Sequence, residues 1–312
     1  MFLKVLLIIL ICLGCLLLVF LISIGVLSFV VFKKIFSRQD CKSLMDLDLK
    51  GTHYEKHLNE LRRNISELLD REYKTIKINN DGLKLSARYY DENSKNTVIM
   101  CHGYGAQAFN NFHASSRSFF NHGYNVLMID ERSHNDSEGK YTTVGLKEQY
   151  DVLKWIKWVE ENTNTTSICL YGVSMGATTL GYLSNKLDNT KVKAMIMDCG
   201  FTSFDDELFY KLKDNKLSFI IRFFIKCYAK MFLHINISNS TIDSLKDAKV
   251  PVYFIHGLDD EMVPFEHTIA NFNATTSEKE VHYVKECGHT TGFLVDYDFL
   301  DKDVFMFLDK YM

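Results

Sequence analysis

Residues 167–187 restrict what this chain can become more than any other stretch. Ser167-Ile168-Cys169-Leu170-Tyr171 is a short apolar run that reads as a buried strand. Gly172-Val173-Ser174-Met175-Gly176 follows at once, and residues 177–187 are compatible with a helix. Strand, G-x-S-x-G and helix together are the setting of a nucleophile elbow. The turn is too tight for bulky side chains two positions before and two after the serine, where Gly172 and Gly176 stand. It lifts the Ser174 hydroxyl out of the sheet and brings the Met175 N–H to the same point. A glycine-rich turn without chemistry is the simpler reading of five residues, so the rest of the chain has to supply partners.

Other segments give the elbow its frame. Residues 73–78 and 83–90 flank Asn79-Asn80-Asp81-Gly82, a hairpin signal. Residues 97–101, 124–129, 192–197, 250–255 and 280–284 read as further strands, and 145–161 and 296–311 as helices. This alternation predicts an α/β fold: a mostly parallel central sheet with helices on both faces and antiparallel edge strands from the opening hairpin. Residues 201–245 interrupt the alternation. Their centre, 217–233, is rich in Phe, Ile, Tyr and Met, with Arg222, Lys226 and Lys230 spaced between. It predicts a cap of one or two helices over the carboxyl edge of the sheet, serving either packing or the gripping of an apolar substrate.

The amino-terminal part is of another kind. Residues 5–32 are almost unbroken apolar sequence, longer than the ~20 residues that span a bilayer. They exceed the ~7–15-residue core of a signal peptide and lack a clear small-residue cleavage site. A lipid-modified Cys15 fits poorly, because hydrophobic sequence continues past it. The expectation is one uncleaved transmembrane helix. Residues 1–35 form the anchor, 36–72 a linker and amphipathic helix, and 73–312 the catalytic domain with its cap at 201–245. In 53–72, Tyr54, Leu58, Leu61, Ile65, Leu68 and Leu69 recur at helical spacing, which suits packing on the domain or, second, lying on the membrane. Lys33, Lys34, Arg38 and Lys42 outnumber Lys4, so the positive-inside rule favours a cytoplasmic domain.

Composition removes several functions. A net charge of −3 without a basic stripe gives no footing for nucleic acid. The eight cysteines lack a disulfide framework and read as free thiols, in keeping with a reducing compartment. There is no P-loop, H-E-x-x-H or dinucleotide fingerprint, and no cofactor or metal is expected.

Serine needs a base to take its proton and a carboxylate to orient that base. After such an elbow the chain order is serine, acid, histidine. His289 follows the last strand in Glu286-Cys287-Gly288-His289-Thr290. His102 and His256 each precede a glycine at a strand end and read as partners of local backbone, while His113, His122 and His134 come too early. For the acid, Asp259, Asp260 and Glu261 share the loop after the 250–255 strand, and Asp198 ends another strand. Stabilising a developing oxyanion takes two N–H donors. Met175 offers one; Tyr104, between Gly103 and Gly105, is the expected second.

These stretches resemble the α/β-hydrolase superfamily, nearest to its serine aminopeptidase and monoacylglycerol lipase-like branch, several bacterial members of which carry an N-terminal membrane segment. The resemblance rests on His102-Gly103-Tyr104-Gly105, the elbow, His256-Gly257 with Asp260-x-x-Val263-Pro264, and Gly288-His289. It favours Asp260 as the acid. Residues 130–139 resemble the family loop D-x-R-G-H-G-x-S-x-G, with Ser133 and Asn135 replacing its two glycines. Asn tolerates positive φ better than most residues; Ser133 departs further. The likeness runs from about residue 73 to the end, is weak through the cap and does not reach the anchor. It implies acyl transfer to water, with Ser174 as nucleophile, His289 as base, Asp260 orienting it, and Met175 and Tyr104 as oxyanion donors. The apolar cap and the anchor favour a carboxylic ester with an acyl or other apolar part. A short peptide is the alternative substrate. A catalytically silent membrane-anchored binding protein is the alternative of another class. Membrane lipid around the anchor is the other expected partner.

Overall fold

The computed structural model describes residues 2–39, 41 and 55–312. Tyr54 and the start of the amphipathic segment fall outside the described residues. Eight strands build one sheet: β1 (Lys74–Asn80), β2 (Leu83–Tyr90), β3 (Asn96–Cys101), β4 (Asn125–Ile129), β5 (Ser167–Val173), β6 (Val192–Asp198), β7 (Val252–Gly257) and β8 (Lys279–Val284), in the order β1-β2-β4-β3-β5-β6-β7-β8. β1 and β2 pair antiparallel, β2 pairs antiparallel with β4, and every other neighbour is parallel. Asp81 and Gly82 both take positive φ between paired Asn80 and Leu83, as a two-residue hairpin requires.

The inner strands are apolar at nearly every position because both faces are covered. Alternate residues divide between two cores. Val98, Met100, Val126, Met128, Tyr171 and Ile196 join one; Ile99, Cys101, Leu127, Ile129, Leu170 and Met195 join the other. The helices are α1 (Phe2–Phe36), α2 (Leu58–Leu69), α3 (Ala108–Phe112), α4 (Ser115–Asn121), α5 (Glu148–Asn162), α6 (Met175–Leu183), α7 (Phe204–Lys211), α8 (Ser218–Tyr228), α9 (Thr241–Leu245), α10 (Glu266–Ala274), α11 (Gly292–Val295) and α12 (Tyr297–Leu308). α2 buries Leu61, Ile65 and Leu68 against the domain.

Two elements differ from expectation. The cap holds three helices, not one or two, with α8 running into a π-helical turn at Ala229–Leu233. Asn215 interrupts it, its carbonyl and side chain taking the Ser218 and Leu217 N–H groups, and His234 ends the turn in the left-handed region. Arg222 and Lys226 both pair with Asp205 of α7. The second difference is α1. Residues 2–23 are exposed on every side, but Ile24, Gly25, Ser28, Phe32 and Phe36 form a buried face against α8. By length and composition this helix can cross a membrane.

The sheet order places a switch point at β3 and β5. From β3 the chain moves outward to β4; from β5 it moves the other way to β6. Loops leaving the carboxyl ends of such neighbours diverge and leave a crevice. The loop carrying Tyr104 and the turn carrying Ser174 are those two loops.

Candidate active site

Ser174 sits between β5 and α6 with φ 54° and ψ −115°, a strained backbone for a non-glycine residue. Its N–H donates to Asp198 O at 2.8 Å, which pins the turn to β6. A Cβ on Gly172 would lie 2.5 Å from the Gly176 backbone, and one on Gly176 would lie 1.9 Å from Cys101 O. Any larger residue at either position drives backbone into backbone.

The structure brings Ser174, His289 and Asp260 together from three strand ends. Ser174 Oγ is 2.9 Å from His289 Nε2, and His289 Nδ1 is 2.7 Å from Asp260 Oδ2. Gly257 makes this approach possible: a Cβ there would meet Cys287 O at 2.2 Å. Asp260 Oδ1 accepts the N–H groups of Met262 and Val263, both at 2.9 Å. Burial alone would raise this carboxyl, but hydrogen bonds from His256 and His289, the charge attraction of His289 and the Val263 N–H hold it well below the usual carboxylate range. An ionised carboxylate facing Nδ1 requires the proton there. Nε2 is then left as an acceptor for the serine hydroxyl.

His256 belongs to this site and not only to local backbone, as the sequence suggested. It accepts from Thr268 at Nδ1 (2.7 Å) and donates from Nε2 to Val263 O (2.9 Å), with Asp260 Oδ2 at 3.3 Å. The other acids do not reach His289 in this way. Asp198 is taken up by Tyr171 Oη and Cys199 Sγ. Cys199 Sγ lies within 4.8 Å of the Asp260 and His289 donor atoms. Burial and the neighbouring carboxylates push this thiol well up.

Tyr104 lies beside the elbow. A Cβ on its neighbour Gly103 would be 3.3 Å from Ser174 Cβ. The amides of Gly103, Gly105 and Ala106 are engaged by Asn111, His134 and Gly103 O, which fixes the loop. Among the described residues the N–H groups of Tyr104 and Met175 have no protein acceptor. The 130–139 loop supports this arrangement. His134 Nε2 accepts from Gly105 N at 3.0 Å, and buried Arg132 forks onto Asp151 at 2.7 and 2.8 Å. Ser133 and Asn135 both adopt positive φ, so the turn keeps its shape without glycine at either place. His102, held down to about 3 by burial and the neighbouring His134, stays neutral and accepts the Glu131 N–H.

Ser174 opens on an apolar cavity of about 370 Å³, within the range of small-molecule sites. Val144, Phe201, Phe204 and Leu208 form much of its wall, with Met175 at its base. Beyond Ser174 and Tyr104, its polar groups are Glu207 and Lys211. Burial pushes Glu207 up to about 7, against the pull of Lys211. Three other clefts of similar size hold none of the residues around Ser174 and are richer in polar groups or lie by α2 and β1.

Comparison with known proteins bears on the fold. Residues 69–213 match the X-Pro dipeptidyl-peptidase (S15) family. The Pyrococcus furiosus esterase Pf2001 superposes with a TM-score of 0.64 at 26% identity, covering 79% of this chain and 95% of that one. The chain has the α/β-hydrolase fold. This hydrolase is also 28% identical to Bacillus subtilis YqkD over 222 residues, 69% of this chain and 72% of that protein. It is 28% identical to the lysophosphatidylserine lipase ABHD12 of Rattus norvegicus over 150 residues, 46% of this chain and 36% of the lipase. The chain thus matches only about a third of that lipase's length.

The sequence did not reveal every residue around the hydrolase's cavity. Glu207 sits in the cap, where the resemblance fades. Val31 and Ile35 of α1 also line the cavity, yet they lie in the stretch 1–35 that the sequence assigns to the anchor. The small residues Gly25 and Ser28, three apart among large ones, are the signal that one face packs on protein.

Proposed function

We propose that this α/β-hydrolase is a membrane-anchored serine esterase that cleaves a carboxylic ester with an apolar acyl part. The observation that carries the reading is the Ser174–His289–Asp260 relay, at 2.9 and 2.7 Å, opening on an apolar cavity. Ser174 Oγ attacks the ester carbonyl as His289 Nε2 takes its proton. The N–H groups of Tyr104 and Met175 stabilise the tetrahedral oxyanion. His289 returns the proton to the departing alkoxide, and water repeats the sequence to free the acid. Asp260 keeps His289 in the right tautomer and stabilises its charged form.

The anchor is α1, whose residues 2–23 are apolar and exposed apart from Lys4. The basic flank at Lys33, Lys34 and Arg38 favours a cytoplasmic domain. Protease protection in oriented vesicles tests that side. Hydrolysis of a short peptide is the second reading, favoured by the match to the S15 peptidase family. On that reading Glu207 is the cavity's carboxylate for a peptide amino terminus. Fluorophosphonate labelling of the full chain in detergent, beside Ser174→Ala, tests the serine. Labelling lost in the variant supports the mechanism. Equal labelling or equal turnover refutes it, and an unlabelled wild type leaves the silent-scaffold class standing. Simple carboxylic esters against aminoacyl anilides then decide between ester and peptide.

A further inference from the structure

Resting on the esterase reading above, we propose that the last turns of α1 are a wall of the substrate site. Val31 and Ile35 set the length of the acyl chain that the cavity accepts from an ester carried in the bilayer.

The first argument is length. A helix of 35 residues is roughly 52 Å long at 1.5 Å per residue, against a hydrocarbon core of about 30 Å. Residues 2–23, exposed on all sides, already supply about 33 Å. The remainder is surplus to crossing a bilayer, and it is the part that docks on the domain.

The docking is specific. Tyr228 Oη donates to Gly25 O at 2.9 Å, and the Phe29 ring stands edge-on to Tyr228 at 5.2 Å. Beyond the helix the chain is bonded into the 130–142 region. Ser37 bridges Tyr141, Thr142 N donates to Phe36 O, Arg38 N to Lys140 O, and Gln39 N to Ser133 O. A tether that only holds a domain near a membrane needs none of these bonds.

The docked end reaches the chemistry. Val31 and Ile35, one turn apart, line the cavity that contains Ser174. Tyr104 Oη donates to Ile35 O at 2.7 Å, so the residue assigned to the oxyanion hole is held by the anchor helix itself.

The surroundings say where the tail comes from. Val30 of α1 and Phe219, Phe223, Met231 and Phe232 of the cap are all largely exposed, and the Phe232 ring lies 5.7 Å from that of Phe29. Apolar surface therefore continues from the spanning residues onto the cap, a pattern of lipid contact and not of a water-facing lid. An ester whose tail lies in that leaflet meets the Val31–Ile35 wall beside its own phase.

The experiment uses the full chain in phosphatidylcholine nanodiscs with p-nitrophenyl esters from acetate to palmitate. The readout is the kcat/KM profile against chain length. Val31→Trp and Ile35→Trp are expected to move the optimum to shorter chains, lowering the laurate-to-acetate ratio by about tenfold or more, since each excluded methylene costs several-fold. Val31→Ala and Ile35→Ala are expected to move it to longer chains. Opposite shifts from large and small residues at one position do not arise from misfolding. Leu10→Trp, on the freely exposed length of the same helix, should leave the profile in place. An unmoved profile in all four wall variants, with wild-type Ser174 still labelled by fluorophosphonate, overturns this proposal alone. A wild type that is neither labelled nor active overturns the esterase reading and this proposal with it.

Discussion

Asp260→Asn is the sharpest test of the relay, because the surroundings of Asp260 dictate which way the new amide must turn. Oδ1 accepts two backbone N–H groups, from Met262 and Val263, at 2.9 Å. An amide nitrogen cannot accept there, so the Asn oxygen takes the Oδ1 position. The NH₂ group then occupies the place of Oδ2, 2.7 Å from His289 Nδ1. Two donors cannot face one another, so His289 must give up its Nδ1 proton and carry it on Nε2. That nitrogen, 2.9 Å from Ser174 Oγ, becomes a donor where the mechanism needs an acceptor. Geometry is preserved and the tautomer is wrong. Such a change costs about 10⁴ in kcat, or roughly 5.5 kcal/mol of transition-state stabilisation. The assay is the kcat of the full chain on a short p-nitrophenyl ester at pH 7, with near-ultraviolet circular dichroism confirming an unchanged fold. A loss below about tenfold would refute the reasoning and turn attention to Asp198, whose backbone carbonyl already holds Ser174 N.

Three further outcomes are expected. Gly176→Ala places a methyl carbon 1.9 Å from Cys101 O, a backbone clash that no rotamer relieves, and should abolish fluorophosphonate labelling and sharply lower the yield of folded protein; Gly14→Ala, with nothing within 4 Å, should do neither. Asp151→Ala breaks a buried two-pronged pair with Arg132 and should cost about 3–5 kcal/mol, read as a fall in Tm, whereas a change under about 1 kcal/mol would mean the pair is dispensable. Glu207→Gln tests the raised carboxyl. Folded Glu207 keeps its proton up to about pH 7 while the unfolded chain releases it near 4.3, so its contribution is complete at low pH and is lost as pH rises through that window. The variant should therefore gain on the wild type in Tm between pH 5 and pH 8, and parallel curves would contradict the assignment.

What was legible in the sequence was whatever local physics enforces. Gly172 and Gly176 announce a turn because no other residue fits two backbones so close. Strands β3 to β7 announce themselves because burial on both faces leaves room for few polar side chains. The spacing of Asp260 and His289 behind their strands was readable, and the parallel pairing of β7 with β8 puts both loops on the edge that carries the elbow. His256 escaped because its contact with Asp260 exists only once the loop at 258–263 folds back over β7. The cap escaped in part because Asn215 and His234 bound α8 and its π-helical turn, leaving α7 and α9 as separate helices on either side of the apolar centre. The reach of α1 escaped for a more general reason. Val31 and Ile35 are aliphatic like Leu16 and Leu17, and a bilayer and a protein cavity both ask for apolar side chains. Length, together with the small residues Gly25 and Ser28, separates the two environments. A helix some 20 Å longer than the hydrocarbon core must have its far end somewhere else. Here that end lies on the cap and beside Tyr104, so the apolar stretch long enough to cross a bilayer and the residues that line the cavity belong to one continuous helix.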